Sequence, residues 1–434
     1  MPRTSRSFPI SNSQEFKEAI LNWTRNHEHV VWLDSNGHKD KYGTYEAVVA
    51  VARQTNGSVF EVKNTDDTQN FIDKKKDWLF GCISYDFKNE LEDLQSNNLD
   101  ELNFPELYFF CPEKIILIKE NKAEFLYLKK YENEVDEDYA MLTRKISPFR
   151  YIPSDGIRIQ MRIHKDAYFE KVDKMLGHIH RGDIYEANFC QEFYSTDSTI
   201  DPWSVYQNLN KISQPPFASF LRLSDKYLLC ASPERYLKRE NNRIISQPIK
   251  GTAKRDSEKT KDEILKDELA KNPKERAENI MITDLVRNDL SKSALKGTVL
   301  VEELCKVYSY QQVHQMISTI TSQVDEKTPS TQIIKETFPM GSMTGAPKVS
   351  AMKIIEELEE SRRGLYSGAV GYFQPNGDFD FNVVIRSILY NSSKKYISYS
   401  VGSAITAQSK PEKEYEECLL KAKAMRSVLE GDDS

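Results

Sequence analysis

The stretch NPKERAENIMITDLVRNDL, residues 272–290, predicts a helix that carries an acid on its apolar face. Asn272 is a favourable N-cap residue, Pro273 suits the first helical position, and a glutamate follows at the third. Glu278 shares a face with the apolar residues three, four and seven positions later, Met281, Ile282 and Leu285. Buried acids are usually paired, so a salt bridge is the simpler interpretation and a bound cation is the other.

Two further acids lie on the last predicted helix, which ends near Leu429. Glu414 and Glu417 are one turn apart at the edge of its apolar stripe, so surface charge is the default explanation of this pair. Together with Glu278 they could also converge on Mg²⁺, a hard cation that takes carboxylate oxygens. The sequence has no cluster of cysteine and histidine, which argues against zinc.

The composition is that of an ordinary globular protein. The 434 residues are 39% hydrophobic and 29% charged, which allows two or three domains or one large core. The net charge is −6, and no basic stripe is present of the kind that neutralises phosphates. We therefore do not expect a nucleic-acid partner.

The cysteines and the apolar runs indicate the compartment. The six cysteines are widely separated and form no CxxC pair, which predicts reduced core thiols. Residues 1–20 lack the apolar segment of a signal peptide, and no apolar run approaches the roughly 18 residues of a membrane span. We expect a cytoplasmic protein without a membrane partner.

The two parts of the chain differ in their predicted elements. Residues 1–150 hold short β-like runs separated by polar turns. The acidic stretch 131–138 and the segment around Pro148 and Pro153 are the best candidates for a boundary. Beyond it, helices alternate with strands: a helix ended by Gly182, a strand at 184–193, helices at 257–270, 273–290 and 349–359, and a strand pair within 365–390.

The glycine-rich segment GSMTGAPK, residues 341–348, is not a phosphate-binding P-loop. Pro347 occupies the position where that motif needs glycine, and the residue after Lys348 is neither serine nor threonine. A nucleotide is not expected there. Free backbone N–H groups ahead of a helix still favour an anion, a carboxylate included.

For two basic side chains, Lys250 and His314, the sequence allows both a structural and a functional role. Lys250, in SQPIKGTAKR at 246–255, lies between a β-prone run and a Gly-Thr corner, and is either a solvated cation or a reactive amine. His314, in VHQM, fits an ordinary core histidine of a helix or a functional one. Neither residue alone decides the matter.

Taken in order, seven segments resemble the chorismate-utilising enzymes, a family that includes anthranilate synthase component I, aminodeoxychorismate synthase component I, and the isochorismate and salicylate synthases. The segments are GDIYEAN at 182–188, SPER at 232–235, PIKGT at 248–252, ENIMITDLVRND at 278–289, FPMGSMTGAPK at 338–348, GLYSGAVGY at 364–372 and EKEYEE at 412–417. Seven ordered matches are far more specific than any single one. The N-terminal part matches less sharply, at WLFGCISYD (78–86) and LDS (33–35).

The resemblance implies an α/β (α+β) fold, with two β-sheets packed as a sandwich, helices outside, and the active site in the cleft between two subdomains. The expected division is an N-terminal, mostly β part at 1–150 and a chorismate-binding catalytic domain at 151–434. Chorismate is the implied substrate and Mg²⁺ the implied cofactor. Glu278, Glu414 and Glu417 match the acids that hold Mg²⁺ against the ring carboxylate of the substrate.

The resemblance also implies roles around the substrate. Five residues match substrate-binding positions: Thr252, Ser342, Tyr366, Arg386 and Gly402. Of these, Arg386 and Tyr366 receive the enolpyruvyl carboxylate. Glu234 matches the general acid that protonates the departing C4 hydroxyl, and His314 matches a family histidine beside that hydroxyl.

Two positions separate the reactions within the family. Members that add water carry a lysine base at the position of Glu186, so isochorismate and salicylate synthesis are not expected. Members that use ammonia usually have glutamine there, and Glu186 is a departure from both. At Lys250 anthranilate synthases read PIAGT, whereas aminodeoxychorismate synthases read PIKGT, as this chain does.

Chemistry supplies a reason for the lysine. Nitrogen can be placed at C4 with net retention if an enzyme amine first adds at C2 with loss of the C4 hydroxyl, and ammonia then attacks C4 and expels it. We expect Lys250 to be that amine, with a pKa lowered by burial and by the charges of Mg²⁺ and Arg386. The expected activity is Mg-dependent conversion of chorismate and ammonia to 4-amino-4-deoxychorismate, for 4-aminobenzoate and folate synthesis.

The ammonia for this reaction is expected from a partner protein. No nucleophile-elbow cysteine with a downstream His/Glu pair is present, so the resemblance implies a separate glutamine amidotransferase subunit as partner. The alternatives are anthranilate synthase component I and a non-catalytic protein that binds chorismate or tryptophan. Tryptophan is considered because LDS at 33–35 resembles the tryptophan-binding segment of relatives.

Overall fold

The computed structural model describes residues 1–53, 60–144, 157–310 and 313–431. Pro148 and Pro153, the residues of the predicted domain boundary, lie outside the described residues. The division near residue 150 therefore stays a prediction.

The described residues form eleven α-helices and 22 β-strands. The helices, α1 to α11 in chain order, are Ser13–Trp23, Thr65–Lys75, Lys88–Leu91, Val135–Leu142, Lys165–Arg181, Pro202–Ser213, Lys259–Lys271, Pro273–Ser291, Ser330–Thr337, Lys348–Leu358 and Pro411–Glu430. The strands, β1 to β22, are Arg3–Pro9, His29–Asp34, Ala47–Ala52, Glu61–Val62, Leu79–Ile83, Leu107–Phe110, Lys114–Lys119, Lys122–Leu128, Gln160–Met161, Glu186–Ser195, Phe217–Leu223, Lys226–Ser232, Arg235–Glu240, Arg243–Gln247, Ile249–Lys254, Leu300–Ser309, Val313–Gln323, Gly345–Ala346, Ala369–Phe373, Phe379–Val383, Ser387–Asn391 and Tyr396–Thr406.

Two sheets organise these strands. The large sheet has twelve strands in the order β1-β8-β7-β3-β2-β11-β12-β21-β22-β10-β18, with β9 beside β10. The small sheet has ten, in the order β15-β17-β14-β13-β20-β19-β5-β6-β4, with β16 beside β17. Strands from the first 150 residues belong to both sheets: β2 pairs with β11 in the large one, and β5 pairs with β19 in the small one.

Successive side chains of a strand contribute alternately to two apolar layers, one under the helices and one between the sheets. In β2, Val30 and Trp32 join the apolar cluster under the helices, whereas Val31 joins the cluster between the sheets. Side chains of a strand point alternately to its two faces, so a strand buried on both sides reads as a continuous apolar run. The expected sandwich with helices outside is confirmed.

Most predicted elements are present. The helix predicted at 273–290 is α8, and Asn272 caps it by accepting hydrogen bonds from the N–H groups of Lys274 and Glu275. The helix before Gly182 is α5, and this glycine closes it with a φ of 86°, in the left-handed region that favours glycine. The region 365–390 holds three strands rather than a pair, β19 to β21.

Two further expectations concern the whole chain. All six cysteines are buried and unpaired, as expected for reduced core thiols. Among the described residues, no helix combines the length and apolar character required to cross a membrane.

Candidate active site

A cavity of about 540 Å³ brings together most of the predicted site residues. Its walls come from the ends of both sheets, notably β15 and β22, and from helices α8 and α11. The residues of the sequence-based set that line it are Glu234, Lys250, Thr252, Glu278, Ser342, Tyr366, Arg386, Gly402, Glu414 and Glu417. Residues separated by up to 183 positions thus face one space.

Lys250 reaches into the cavity from β15 and is paired from behind. Its Nζ lies 3.2 Å from Oε1 of Glu186, which is on β10 and only 1% exposed. Gly251 follows with a φ of 94°, and a Cβ there would approach the Glu275 carboxylate at 3.1 Å, so the irregular pairing of β15 after the lysine requires glycine.

The protonation of Lys250 is governed by the acids around it. Burial lowers the pKa of Lys250, but the carboxylates of Glu186, Glu278 and Glu234 outweigh burial and bring that pKa above its usual range. Acids and not cations are the nearest charges in this arrangement, whereas the lowered pKa is expected from bound Mg²⁺ and stays a prediction. The lysine rests as an ammonium ion.

Glu234 has the properties of a proton donor. It is fully enclosed at the start of β13, and burial raises its pKa to about 7, against the hydrogen bond from Ser342 and the charge of Lys250. The Ser342 hydroxyl donates to Oε1 of Glu234 at 2.6 Å. A carboxyl with a pKa near 7 carries its proton in a useful fraction of molecules at neutral pH.

The three predicted metal acids do not form a ready coordination shell. In the described part of the chain, no three acidic, histidine or cysteine side chains are close enough together to hold a metal ion. Glu278 and Glu414 instead share the ammonium of Lys274, at 3.7 and 3.9 Å. Glu417 contacts Lys421 at 2.6 Å, the next lysine one turn along α11.

The chemistry of these acids still fits a hard cation. Oε1 of Glu278 is buried without a hydrogen-bond partner, and burial raises the pKa of this carboxyl to about 7, against Lys250 and Lys274. The two carboxylates already face a common positive charge, which they could exchange for a divalent ion. Carboxylate oxygens with bound water are the ligands that Mg²⁺ takes in proteins.

Arg386 brings a positive charge to the lining of the cavity. Its guanidinium makes no hydrogen bond or ion pair with the described residues, and burial lowers its pKa. A partly buried and unpaired guanidinium favours a carboxylate, which it can bind through two parallel hydrogen bonds. Tyr366 lies on the same wall and is buried against Cys190.

Gly402 and Thr252 complete the lining. A Cβ at Gly402 would lie 2.7 Å from the sulfur of Cys190 and 2.9 Å from the Asn188 amide, so this position in β22 has room only for glycine. Thr252 pairs with Gln315 across β15 and β17, and both residues line the cavity.

His314 is not brought into the cavity, and the sequence-based assignment of this residue is corrected here. It lies on strand β17, not on a helix, and its side chain is fully buried against α7, with Nε2 2.9 Å from Oδ1 of Asp262 and Nδ1 2.9 Å from Ser309. Successive residues of a strand face opposite sides, so Gln315 lines the cavity instead. Oε1 of Gln315 is buried without a partner.

Two site residues were missed from the sequence, Gln315 and Lys274. Gln315 could have been found by reading 313–323 as a strand, because period-two alternation then sets it beside Thr252. Lys274 is four residues before Glu278, the spacing at which side chains on a helix meet. The sequence signals were present for both.

A second cavity, of about 450 Å³, includes the segment considered for tryptophan. Leu33, Asp34 and Ser35 line part of it, and Oδ1 of Asp34 is 2.8 Å from the ammonium of Lys17. Binding of tryptophan in this cavity stays a prediction.

Comparison with known proteins shows which family this chain resembles. The family described as chorismate binding enzyme matches residues 28–427. A Synechocystis protein named anthranilate synthase component I-like is 35% identical over 356 residues, 82% of this chain and 73% of that protein. Aminodeoxychorismate synthase component 1 of Bacillus subtilis is 31% identical over 387 residues, 86% of this chain and 81% of that protein.

The fold is also that of a solved structure. The menaquinone-specific isochorismate synthase from Escherichia coli superposes with a TM-score of 0.78 at 16% identity, covering 99% of this chain and 94% of that one. The family match extends over most of the chain and includes every segment that lines the larger cavity. The chain therefore belongs to the family of chorismate binding enzymes.

Proposed function

We propose that this protein is the chorismate-binding component of an aminodeoxychorismate synthase, which converts chorismate and ammonia to 4-amino-4-deoxychorismate with Mg²⁺. The observation that carries the proposal is Lys250, which faces the same cavity as the acid Glu234 and the unpaired Arg386. Several relatives bear this name, among them the Bacillus subtilis protein. The other relatives named anthranilate synthase leave Lys250 as the deciding residue.

The two carboxylates of chorismate match the two charged walls of the cavity. Arg386 would hold the enolpyruvyl carboxylate, with Tyr366 beside it. Glu278, Glu414 and Glu417 would hold Mg²⁺, which when bound neutralises the ring carboxylate and polarises the ring toward attack. Between these anchors, the ring would lie against Lys250 and Glu234.

The proposed chemistry has two displacements. The Lys250 amine attacks C2, the two ring double bonds shift, and the C4–O bond breaks as Glu234 delivers a proton, so that water leaves. Ammonia then attacks C4, the double bonds shift back, and the C2–N bond breaks with its electron pair returning to Lys250. The new amine gives a proton to Glu234, which restores the acid.

Ammonia would come from a glutamine amidotransferase subunit. The name component 1, which several relatives carry, supports a second component, and these 434 residues contain no glutaminase signature. Co-purification with such a subunit, and glutamine-dependent turnover in its presence, would test this part of the proposal.

Product analysis tests the function as a whole. The protein is incubated with chorismate, Mg²⁺ and ¹⁵N-ammonium, and the products are separated by mass spectrometry. We expect ¹⁵N-labelled 4-amino-4-deoxychorismate. Labelled anthranilate would instead establish the alternative, anthranilate synthase component I, and unchanged chorismate would favour a non-catalytic binding protein.

Glu234→Gln is expected to lower kcat by roughly 100- to 10,000-fold, the usual contribution of a general acid. The amide has nearly the same size but carries no transferable proton, so substrate binding should survive better than turnover. Steady-state rates and the Kd of chorismate are measured side by side. An unchanged kcat would show that another group protonates the C4 hydroxyl.

Ser342→Ala is expected to shift the pH dependence of kcat/KM. The Ser342 hydroxyl donates to the Glu234 carboxylate and so lowers the pKa of Glu234. Because the acid must be protonated, kcat/KM should fall as pH rises through about 7. Removing the hydroxyl raises that pKa, and the alkaline fall should move to higher pH; a shift to lower pH would contradict this assignment.

A further inference from the structure

We propose that Glu186 is the proton acceptor of Lys250: it takes the lysine proton before the attack on C2 and returns it when the lysine leaves. The inference rests on the proposed nucleophilic role of Lys250, and it adds an acid–base partner for that amine. The residue is a positioning and proton-transfer group behind the nucleophile, and it does not line the substrate cavity.

The geometry joins the two groups and isolates them from water. Oε1 of Glu186 is 3.2 Å from Nζ of Lys250, while Oε2 is buried without any hydrogen-bond partner. The carboxyl is 1% exposed, and the Lys250 side chain is 13% exposed. The strand pairs of Glu186 with Ala346 and with Thr406 fix its backbone from both sides of β10.

An ammonium ion cannot attack carbon, so Lys250 has to lose a proton inside a closed site. Its pKa is held above the usual range by neighbouring acids, which makes loss to bulk water unfavourable at neutral pH. Transfer to Glu186 conserves the net charge of the pair. Burial penalises the two ions of the pair, so passing the proton across the 3.2 Å to Glu186 is easier than releasing it to bulk water and leaving the carboxylate buried without its cation.

The proton count balances over both displacements. Lys250 ammonium and Glu186 carboxylate become amine and carboxylic acid, and the amine forms the C2–N bond while water leaves C4 with the Glu234 proton. The adduct nitrogen is then a secondary ammonium. When ammonia forms the C4–N bond, Lys250 departs as the neutral amine and regains the proton held by Glu186.

The other charged groups around Lys250 and Glu186 are the same in wild type and in every variant at position 186. Those that influence Lys250 or Glu186 are Glu234, Glu275, Glu278 and Glu417. Their ionisation affects wild type and variant alike. A ratio of two rates therefore isolates the contribution of Glu186.

The test measures adduct formation without ammonia in Glu186→Gln, which keeps the size and the acceptor oxygen. Wild type and variant, each with saturating chorismate and Mg²⁺, are quenched at short times between pH 6 and 8.5 and examined by intact-protein mass spectrometry. Without its acceptor, the variant depends on the neutral fraction of Lys250. We expect the ratio of wild-type to variant rates to rise about tenfold for each unit of pH decrease, and to reach roughly 100 at pH 7.

Two matched variants accompany the measurement. Glu263→Gln removes an exposed carboxylate on α7 and should give a ratio of one at every pH. Glu186→Asp keeps the acid one methylene further away and should react more slowly with a ratio that does not change with pH. Thermal unfolding measurements check that each variant is folded. If Glu186→Gln does not fold, Glu186→Asp is used for the test.

The outcomes separate the two proposals. A wild-type adduct with a constant ratio for Glu186→Gln would overturn the role of Glu186 and leave the nucleophile standing. A pH-dependent ratio for Glu186→Asp would overturn it as well. If wild type forms no adduct at any quench time, the nucleophilic role of Lys250 fails and the inference fails with it.

Discussion

Lys250→Ala is expected to abolish the covalent adduct with chorismate and to lower the rate of 4-amino-4-deoxychorismate formation by more than about 1000-fold, as loss of a nucleophile does in other enzymes. The substitution removes the only lysine of β15 that is paired with a buried acid, while Glu234, Arg386 and the acidic wall keep their places. Intact-protein mass spectrometry without ammonia measures the adduct. Product analysis with ammonium measures the turnover.

The same variant can also change the product. Removing the side chain opens the C2 face that the amine had occupied, while the leaving group and its acid stay in place. At high ammonium we expect some direct attack at C2, which gives anthranilate, as in relatives that read PIAGT. The assignment is wrong if Lys250→Ala still makes 4-amino-4-deoxychorismate at near the wild-type rate and wild type shows no adduct after rapid quenching.

The control for this experiment is an exposed lysine outside the cavity. Lys261 on α7 pairs with Glu258 at 2.7 Å, and Lys261→Ala should keep both adduct and turnover. Lys250→Ala leaves the Glu186 carboxyl buried without its cation, which is expected to lower the stability of the fold. A melting curve for each variant separates loss of chemistry from loss of fold.

The sequence predicts those parts of the fold that local signals determine. Helix α8 begins where a cap residue and a proline stand together, and Glu278 faces the core because of its spacing to apolar neighbours. Helix α5 ends at Gly182 because only glycine adopts its left-handed backbone easily. Such features depend on residues within two turns of each other.

The site depends on register, which local signals do not give. Lys250 and Glu186 are 64 positions apart and meet only because β15 and β10, which belong to different sheets, begin beside one another. The error at His314 has the same origin: one step along β17 separates a residue packed against α7 from one that lines the cavity. A motif can identify the strand and still select the wrong face.

Glu278→Gln is expected to lower kcat/KM by on the order of 100- to 1000-fold and to remove measurable Mg²⁺ binding. The amide keeps the shape of the side chain but loses the negative charge that would hold the ion. In wild type, Oε1 of Glu278 is buried without a hydrogen-bond partner, and the Lys274 ammonium 3.7 Å away compensates its desolvation only in part until a metal ion binds. Glu417→Gln should have the same effect from α11.

Mg²⁺ binding is measured by titration calorimetry, with and without chorismate, and turnover is measured in excess chelator. Asp284→Asn is the matched control, because this acid lies on the same helix but is exposed and contacts Arg287. It should leave both the heat of binding and the rate unchanged.

Lys274 competes with Mg²⁺ for the carboxylates of Glu278 and Glu414. Its ammonium lies within 4 Å of both Glu278 and Glu414, so Mg²⁺ has to displace it before the acids can bind the ion. Lys274→Met keeps the aliphatic stem and removes that competing charge, and we expect it to bind Mg²⁺ more tightly than wild type in the absence of chorismate. Weaker binding would show that Lys274 supports the metal site, and full activity of wild type in excess chelator would remove the metal from the reaction altogether.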